Sequence, residues 1–221
     1  MSRNSLNHPL PIQIRFHFLA MKRFLLCAAL STFCFLDPAH SAVVYSGQMN
    51  ITIPLNFTGI YLNVFTGATS TAQPVDWNTA PWMNPFFGGV DLSSDDLLRL
   101  QITGTDQVIN LPYSSVVDST GNYPAGESGS STHFGPAANQ FQASTPGYIG
   151  FAFETTVGGP TYYGWAKITV NNSSPGTVHE WAYENVAGTG INVGAIPEPG
   201  TTALAVLSVG LVFARRRRAR D

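Results

Sequence analysis

Three glutamates in the C-terminal half of the chain, Glu154, Glu180 and Glu184, have the residue type that glycoside hydrolysis requires. Glycosidases hold two carboxyl groups about 5–5.5 Å apart when they retain configuration and about 6.5–9.5 Å apart when they invert it. Glu180 and Glu184 share one face of a predicted strand, where four residues separate their backbones by about 13 Å. Glu154 lies on a neighbouring predicted strand and could be nearer, depending on the register. A secreted glycan-active enzyme with paired carboxylates is therefore the alternative to a protein without activity.

Other catalytic chemistry lacks its residues in the segment 42–194. The segment contains two histidines, His133 and His179, and no cysteine, because Cys27 and Cys34 both precede it. No serine stands in a Gly-x-Ser-x-Gly motif, so the pattern does not indicate a nucleophilic triad. Two histidines without cysteines also form a poor ligand set for zinc. We therefore predict that the protein is not an enzyme and has no metal site of this kind.

Asp91, Asp95 and Asp96 provide several hard oxygen ligands within a short segment. Calcium prefers such ligands, but the segment lacks the glycine and the distal glutamate of an EF-hand loop. Aspartate and serine in such a segment also bond to the backbone of a turn, here before a strand that begins near Leu98. The sequence predicts no cofactor, and calcium at the three aspartates is the open alternative.

Trp77 and Trp82 lie in an aromatic segment, 77–87, which Pro81 and Pro85 interrupt. Because proline interrupts strands and helices, this segment is predicted to be a loop. Tryptophan rings on such a loop could stack against the sugar rings of an extracellular polysaccharide. Alternatively, the two rings close one end of a β domain, since aromatic side chains contribute large buried areas.

The charges of the chain are segregated. Five of the 11 basic residues lie in the last seven positions, whereas the segment 42–194 has two basic residues against ten carboxylates, a net charge of −8. Nucleic-acid binding depends on basic residues that neutralise phosphates. The sequence therefore excludes nucleic acid as a partner of this acidic segment.

The chain up to Ser41 has the organisation of a secretory signal peptide, with a basic start at Met21 and an apolar run at 24–36 that we predict to be a signal helix. This run is shorter than the roughly 20 residues that span a bilayer. Small residues at the −3 and −1 positions predict cleavage by signal peptidase between Ser41 and Ala42. Residues 1–20 do not fit a signal peptide, so Met21 is the predicted start of translation.

The C-terminal segment 195–221 has three parts: Pro197-Glu198-Pro199, an apolar stretch at 201–214, and an arginine cluster at 215–220. As a helix, the apolar stretch would be about 21 Å long. Arginines that reach the interface and local thinning of the bilayer could close part of the gap to a ~30 Å hydrocarbon core. Positive charge stays on the cytoplasmic side. The pattern predicts a short transmembrane helix, with the acidic segment outside the cytoplasm.

This order of parts resembles the PEP-CTERM sorting signal, which is also labelled an ice-binding protein C-terminal segment and is read by exosortases of bacteria that make extracellular polysaccharide. The resemblance implies that an exosortase recognises the tail in the inner membrane and that the tail is then lost. The residues to which it assigns the signal are Pro197, Glu198, Pro199, Arg215, Arg216, Arg217 and Arg218. The alternative is a permanent anchor, which would keep the protein in the periplasm.

The segment 42–194 contains many short runs of β-branched and aromatic residues and no sustained helical periodicity. The predicted strands are 43–55, 60–65, 97–105, 108–111, 148–155, 162–170 and 178–183. Glycine, proline, asparagine and serine separate them. The pattern predicts an all-β domain, namely an antiparallel β-sandwich or jelly-roll.

The clearest prediction is a three-stranded meander between Gly147 and Val186. Ile149, Phe151 and Phe153 should share one face of its first strand, and Val178 should lie on the face of Glu180 in its third. The motifs Tyr163-Gly164-Trp165 and Trp181-Ala182-Tyr183-Glu184 are similar to the closing strands of a recurrent group of PEP-CTERM proteins. That similarity implies the fold and no chemistry.

Together these features predict an exported cell-surface or extracellular-matrix protein without catalytic activity of its own. Its partners would be signal peptidase, an exosortase, transiently the inner membrane, and an extracellular polysaccharide.

Overall fold

The computed structural model describes residues 42–104, 107–124, 130–132 and 134–197. The predicted signal peptide up to Ser41 and the tail from Glu198 onward lie outside these residues. Every regular element described is a β-strand. No helix able to cross a membrane occurs in the part of the chain that the structure describes.

Fourteen strands follow one another along the described chain. They are β1 Val43–Tyr45, β2 Ile51–Ile53, β3 Tyr61–Asn63, β4 Thr69–Ser70, β5 Trp82–Phe86, β6 Asp91–Ser94, β7 Leu98–Leu100, β8 Gln107–Val108, β9 Val116–Val117, β10 Ser130–Thr132, β11 Pro146–Glu154, β12 Thr161–Thr169, β13 Gly176–Glu184 and β14 Ile191–Asn192.

These strands form two larger sheets and a two-stranded ribbon. The first sheet has the order β1-β13-β12-β11-β7, with β2 also paired to β13; the second has the order β4-β3-β5-β6-β10-β8; and β9 pairs with β14 in the ribbon. Pairing between these strands is antiparallel except between β8 and β10. The prediction of an all-β, antiparallel fold is therefore confirmed, whereas its specific form, a β-sandwich or jelly-roll, stays a prediction.

The predicted meander is present as β11, β12 and β13, each nine residues long. Its register places Phe151 opposite Gly164, and Gly164 opposite Tyr183. Ile149, Phe151 and Phe153 share one face, as predicted, and are fully buried. Alternation of side chains along extended backbone therefore accounts for this part of the fold.

Both faces of the meander are buried. On one face, the first hydrophobic cluster joins the meander to the second sheet through Leu62, Met83 and Leu92. On the other face, the second hydrophobic cluster packs Ala152, Tyr163, Trp165 and Ala182 of the meander with Leu111, Val117, Ile191 and Val193. Because Ile191 and Val193 belong to the second cluster, the described chain is part of the core up to Val193.

Two strand predictions require correction. The single strand predicted at 43–55 is divided into β1 and β2, because Gly47 and Asn50 between them adopt left-handed φ angles of 72° and 51°. Both short strands pair with β13. Val178 lies in the first cluster and not on the face of Glu180, because the register shifts at this point and inserts an extra residue into β13. A β-bulge of this kind reverses the alternation beyond it.

The segment predicted as an aromatic loop contains a strand. Trp82–Phe86 forms β5, which pairs with both β3 and β6. Pro85 is accommodated because its carbonyl still accepts a hydrogen bond from the Ile60 N–H, at 3.0 Å. The loop prediction was therefore wrong for this half of the segment and correct for the turn residues before it.

Candidate functional site

The last described residues fix the point at which the predicted sorting tail begins. Ile191 and Asn192 of β14 pair with Val117 and Val116 of β9. Val193, which follows, is only 1 % exposed. Burial of the apolar side chains of Ile191 and Val193 attaches this segment of the chain to the second cluster.

Backbone hydrogen bonds extend this attachment beyond the ribbon. The Val193 N–H donates to the Ser115 carbonyl at 2.8 Å, and the Val193 carbonyl accepts from the Ser114 N–H at 3.0 Å. The Ala195 N–H then donates to the Asn192 carbonyl at 2.9 Å. This bond closes a four-residue turn with Gly194 at its third position and a φ of 80°, as a type II turn requires.

Beyond the turn the chain reaches the surface. Ile196 is 56 % exposed, and Pro197, the first residue of Pro-Glu-Pro, is also exposed. Glu198, Pro199 and the arginines 215–218 lie outside the described residues. The structure therefore places the start of the predicted signal four residues after the last buried side chain.

The predicted signal-peptidase site adjoins the first strand. Ala42 is exposed, and β1 begins at the next residue. The Ala42 N–H donates to Asn185 Oδ1 at 3.1 Å, and the Ala42 carbonyl accepts from the Asn185 N–H at 3.2 Å. Ser41 lies outside the described residues, so cleavage at this bond stays a prediction.

The candidate catalytic carboxylates have structural partners. Glu154 Oε1 lies 3.1 Å from Arg99 Nη2, and Glu154 Oε2 accepts from the Gly158 N–H at 3.0 Å. Glu184 is buried and accepts from the Val186 N–H at 3.1 Å. Glu154 therefore stabilises the turn at Gly158, and Glu184 stabilises the end of β13.

Glu180 joins three elements of the first sheet. Its Oε1 lies 3.4 Å from Lys167 Nζ, and its Oε2 accepts a hydrogen bond from the Tyr45 hydroxyl. The hydrogen bond to Glu180, together with burial, raises the pKa of Tyr45 to about 12. Lys167 also lies above the ring of Tyr148, 5.8 Å from its centroid. These contacts make Glu180 a cross-strand link between β1, β12 and β13.

His179 is bonded on both ring nitrogens. Its Nε2 lies 2.7 Å from Thr169 Oγ1, and its Nδ1 lies 3.1 Å from Asn50 Oδ1. Burial, with a smaller contribution from Lys167, lowers its pKa. His133 lies outside the described residues.

Asp95 serves as a backbone acceptor. It is 5 % exposed and accepts from the N–H groups of Trp82 at 2.6 Å, Leu97 at 2.6 Å and Leu98 at 2.8 Å. Burial raises the pKa of Asp95 to about 7, although the three donors oppose this effect. Asp91 is half-buried in β6, and Asp96 is exposed. Among the described residues no three acidic, histidine or cysteine side chains converge on a point. The absence of a cofactor stays a prediction, and calcium at these aspartates stays the alternative to it.

The two predicted stacking residues differ in their exposure to solvent. Trp77 is half-buried, and its ring meets Tyr61 edge to face at 5.2 Å. Trp82 is 6 % exposed in β5, so little of its ring can be reached from solvent. Sugar stacking at these two positions stays a prediction.

A groove that the sequence did not indicate lies between the edge of the first sheet and the turn after β3. Its volume is about 330 Å³, and its lining residues are Val44, Tyr45, Ser46, Met49, Val64, Phe65, Thr66, Gly67, Trp181 and Tyr183. Phe65 is 48 % exposed and packs beside Phe153 and Tyr183. Trp181 Nε1 is engaged with the Val64 carbonyl at 3.0 Å. These residues come from three distant parts of the chain, so no local motif could have revealed the groove.

The geometry defines an all-β domain in which Val193, the last buried residue among those described, lies four residues before the exposed Pro197. A family model described as the PEP-CTERM protein-sorting motif matches residues 195–218. The chain therefore carries a PEP-CTERM sorting motif, which confirms the resemblance and implies exosortase-dependent sorting of an exported protein. Neither a curated protein nor a solved structure matches the chain.

Proposed function

We propose that this chain is a cell-surface or extracellular-matrix protein that passes through the inner membrane as a tail-anchored intermediate and is then processed by an exosortase. The observation that carries the proposal is the sorting motif at 195–218, which leaves the β domain at an exposed Pro197. Signal peptidase would first cut between Ser41 and Ala42. The β domain would then lie outside the cytoplasm, held by the helix at 201–214 and the arginines behind it.

The start of the tail is suited to recognition by an enzyme. Proline fixes φ near −65° and lacks a backbone donor, so Pro197 and Pro199 favour an extended segment that cannot continue a helix. An extended segment with unpaired backbone groups can be bound as a strand by another protein. Glu198 between the two prolines would supply the specific side chain.

We propose no catalytic activity for the β domain. Glu154, Glu180 and Glu184 each have a partner within the fold, which accounts for them without hydrolysis. A glycan-active enzyme would instead need two carboxyl groups facing one cleft at hydrolytic spacing. We expect no sugar release from the unmodified chain, and we expect Glu180→Gln and Glu184→Gln to change only its stability. Sugar release that these substitutions abolish would instead support the glycan-active enzyme.

Association with an extracellular polysaccharide is the second part of the proposal. The supporting observation is the groove beside Phe65, because a sugar ring can pack its C–H face against an exposed aromatic ring. Retention of the exported protein on the host's purified polysaccharide should fall for Phe65→Ala. Phe57→Ala is the control, since Phe57 is also exposed but does not line this groove. Equal retention of both variants would contradict this part.

Intact-mass analysis of the exported protein tests the sorting proposal. In a host with an exosortase, we expect an N-terminus at Ala42 and loss of the arginine cluster at 215–220. The same host without its exosortase should retain the tail, as should a variant that combines Pro197→Ala with Pro199→Ala. A mature protein that still carries its arginines in the exosortase host would support the permanently anchored alternative.

A further inference from the structure

An exposed aromatic ring lies over the residue that precedes the sorting motif. Gly194 has a φ of 80°, and a Cβ added there would fall 2.2 Å from Tyr113 Cε2 and 2.7 Å from Tyr113 Cδ2. Tyr113 is 67 % exposed, yet its ring also packs beside Tyr148, with centroids 6.2 Å apart. The ring of Tyr113 therefore lies beside both Gly194, at the end of the ribbon, and Tyr148 of β11.

The residues after Tyr113 hold the same point of the chain. Ser114 and Ser115 bond the carbonyl and the N–H of Val193. Residues 113–115 therefore contact residues 193–194 in two ways, through backbone hydrogen bonds to Val193 and through the ring of Tyr113 beside Gly194. We call these five residues, 113–115 with 193–194, the exit clamp.

We propose that the exit clamp is a positioning device for the sorting reaction, fixing the point and the direction in which Pro-Glu-Pro leaves the β domain. This inference rests on the proposed function. The clamp residues are positioning residues, since they precede the motif and act on it through the chain. The sorting enzyme would thus meet a signal held at a constant distance from a rigid support.

The connection between Gly194 and Pro197 is short, so the position of the exit clamp determines where the sorting signal begins. Two residues, Ala195 and Ile196, separate Gly194 from Pro197, so three residue steps connect them and extend at most about 10 Å. The β domain must therefore stay close to the enzyme that binds the motif, and its orientation decides whether it obstructs the approach. If the clamp opens, the domain can rotate about a longer flexible connection. Misplacement of a substrate lowers the rate of the reaction, and we expect a loss of roughly tenfold.

The experiment measures the rate of tail removal by pulse-chase and intact mass in an exosortase host, using the full chain. Gly194→Ala and Tyr113→Ala should slow removal roughly tenfold, and Tyr113→Phe should restore it because the ring is kept. Gly158→Ala is the matched control, because Gly158 has a similar φ of 72° but no atom within 4 Å of an added Cβ. It should be processed like the unmodified chain.

A spacer separates positioning from destabilisation. With Gly-Ser-Gly-Ser inserted after Ala195, the signal no longer depends on the direction set by the clamp, so Gly194→Ala should lose its effect. If Gly194→Ala is as slow with the spacer as without it, the effect is one of folding and the inference is wrong. If, without the spacer, the tail is removed from Gly194→Ala and Tyr113→Ala as fast as from Gly158→Ala, the inference about the exit clamp is refuted while the proposed function stands. If the unmodified chain keeps its tail, the proposed function fails and the inference with it.

Discussion

Gly164 in the middle of the meander should not tolerate even a methyl group. A Cβ at this position would fall 2.3 Å from Phe151 Cε2 and 2.7 Å from the Ala182 carbonyl oxygen. The Phe151 ring is fully buried, and the carbonyl belongs to the backbone of the adjacent strand. Gly164→Ala therefore forces a ring and a strand to move together.

The expected cost follows from two opposing contributions. Overpacking a tightly packed core costs about 1–3 kcal/mol. Replacing glycine by alanine also restricts the unfolded chain, which returns about 0.4–1 kcal/mol. Because one of the two collisions is with backbone, we place the overpacking cost near the upper end. The net loss should be about 2 kcal/mol, or roughly 4–8 °C in Tm for a domain of this size.

Urea unfolding of the exported protein measures this loss. The control is Gly104→Ala, since an added Cβ at Gly104 has no neighbour within 4 Å, and we expect no loss of stability there. Combining Gly164→Ala with Phe151→Leu should cost less than the sum of the single changes, because the shorter side chain removes one collision. A cost for Gly164→Ala within about 0.5 kcal/mol of the control would refute the reasoning.

Two further predictions concern buried polar groups. Burial raises the pKa of Asp95 from 3.8 to about 7. Between these two pH values the carboxyl group of Asp95 is protonated in the folded state and ionised in the unfolded state. The resulting stability is fully present below pH 3.8 and is lost as the pH rises to about 7, by at most ~4 kcal/mol. Asp95→Asn should abolish this pH dependence. A difference in the free energy of unfolding between Asp95→Asn and the unmodified chain that stays constant between pH 4 and 8 would contradict the prediction. Trp181→Phe removes the bond from Nε1 to the Val64 carbonyl, whereas Trp165 Nε1 has no partner among the described residues. In denaturant titrations, Trp181→Phe should therefore cost about 1 kcal/mol more than Trp165→Phe, and an equal cost would argue against the bond.

The meander could be predicted because its information is local. Ile149, Phe151 and Phe153 alternate with smaller or polar residues, and glycine and proline separate the three strands. The same rule failed at Val178, because the bulge in β13 reverses the alternation without changing the residue types. The rule that proline interrupts a strand failed at Pro85, because a proline is tolerated where only its carbonyl is needed for pairing.

The remaining features depend on contacts between distant residues. Val117 and Ile191 belong to the same buried cluster as Trp165 on the second face of the meander, and neither lies in a run of residues that predicts a core strand. The role of Asp95 likewise depends on Trp82, thirteen residues away in a segment that looked like a loop. The sorting motif, by contrast, was identified from sequence alone, because its three parts are adjacent in the chain and need no fold to bring them together.

The stability of the core does not depend on the tail, although the two are close together in the chain. Val193 closes the second cluster, and Pro197 is exposed only four residues later. Cleavage anywhere beyond Pro197 would remove none of the buried residues described, so the loss of the tail should leave the hydrophobic stabilisation of the domain unchanged. The division falls at Gly194, where the left-handed turn takes the chain from the ribbon to the surface. A side chain at that position would meet Tyr113, and relieving that collision would displace both Val193 and Ala195, the two hydrogen-bonded residues that flank Gly194.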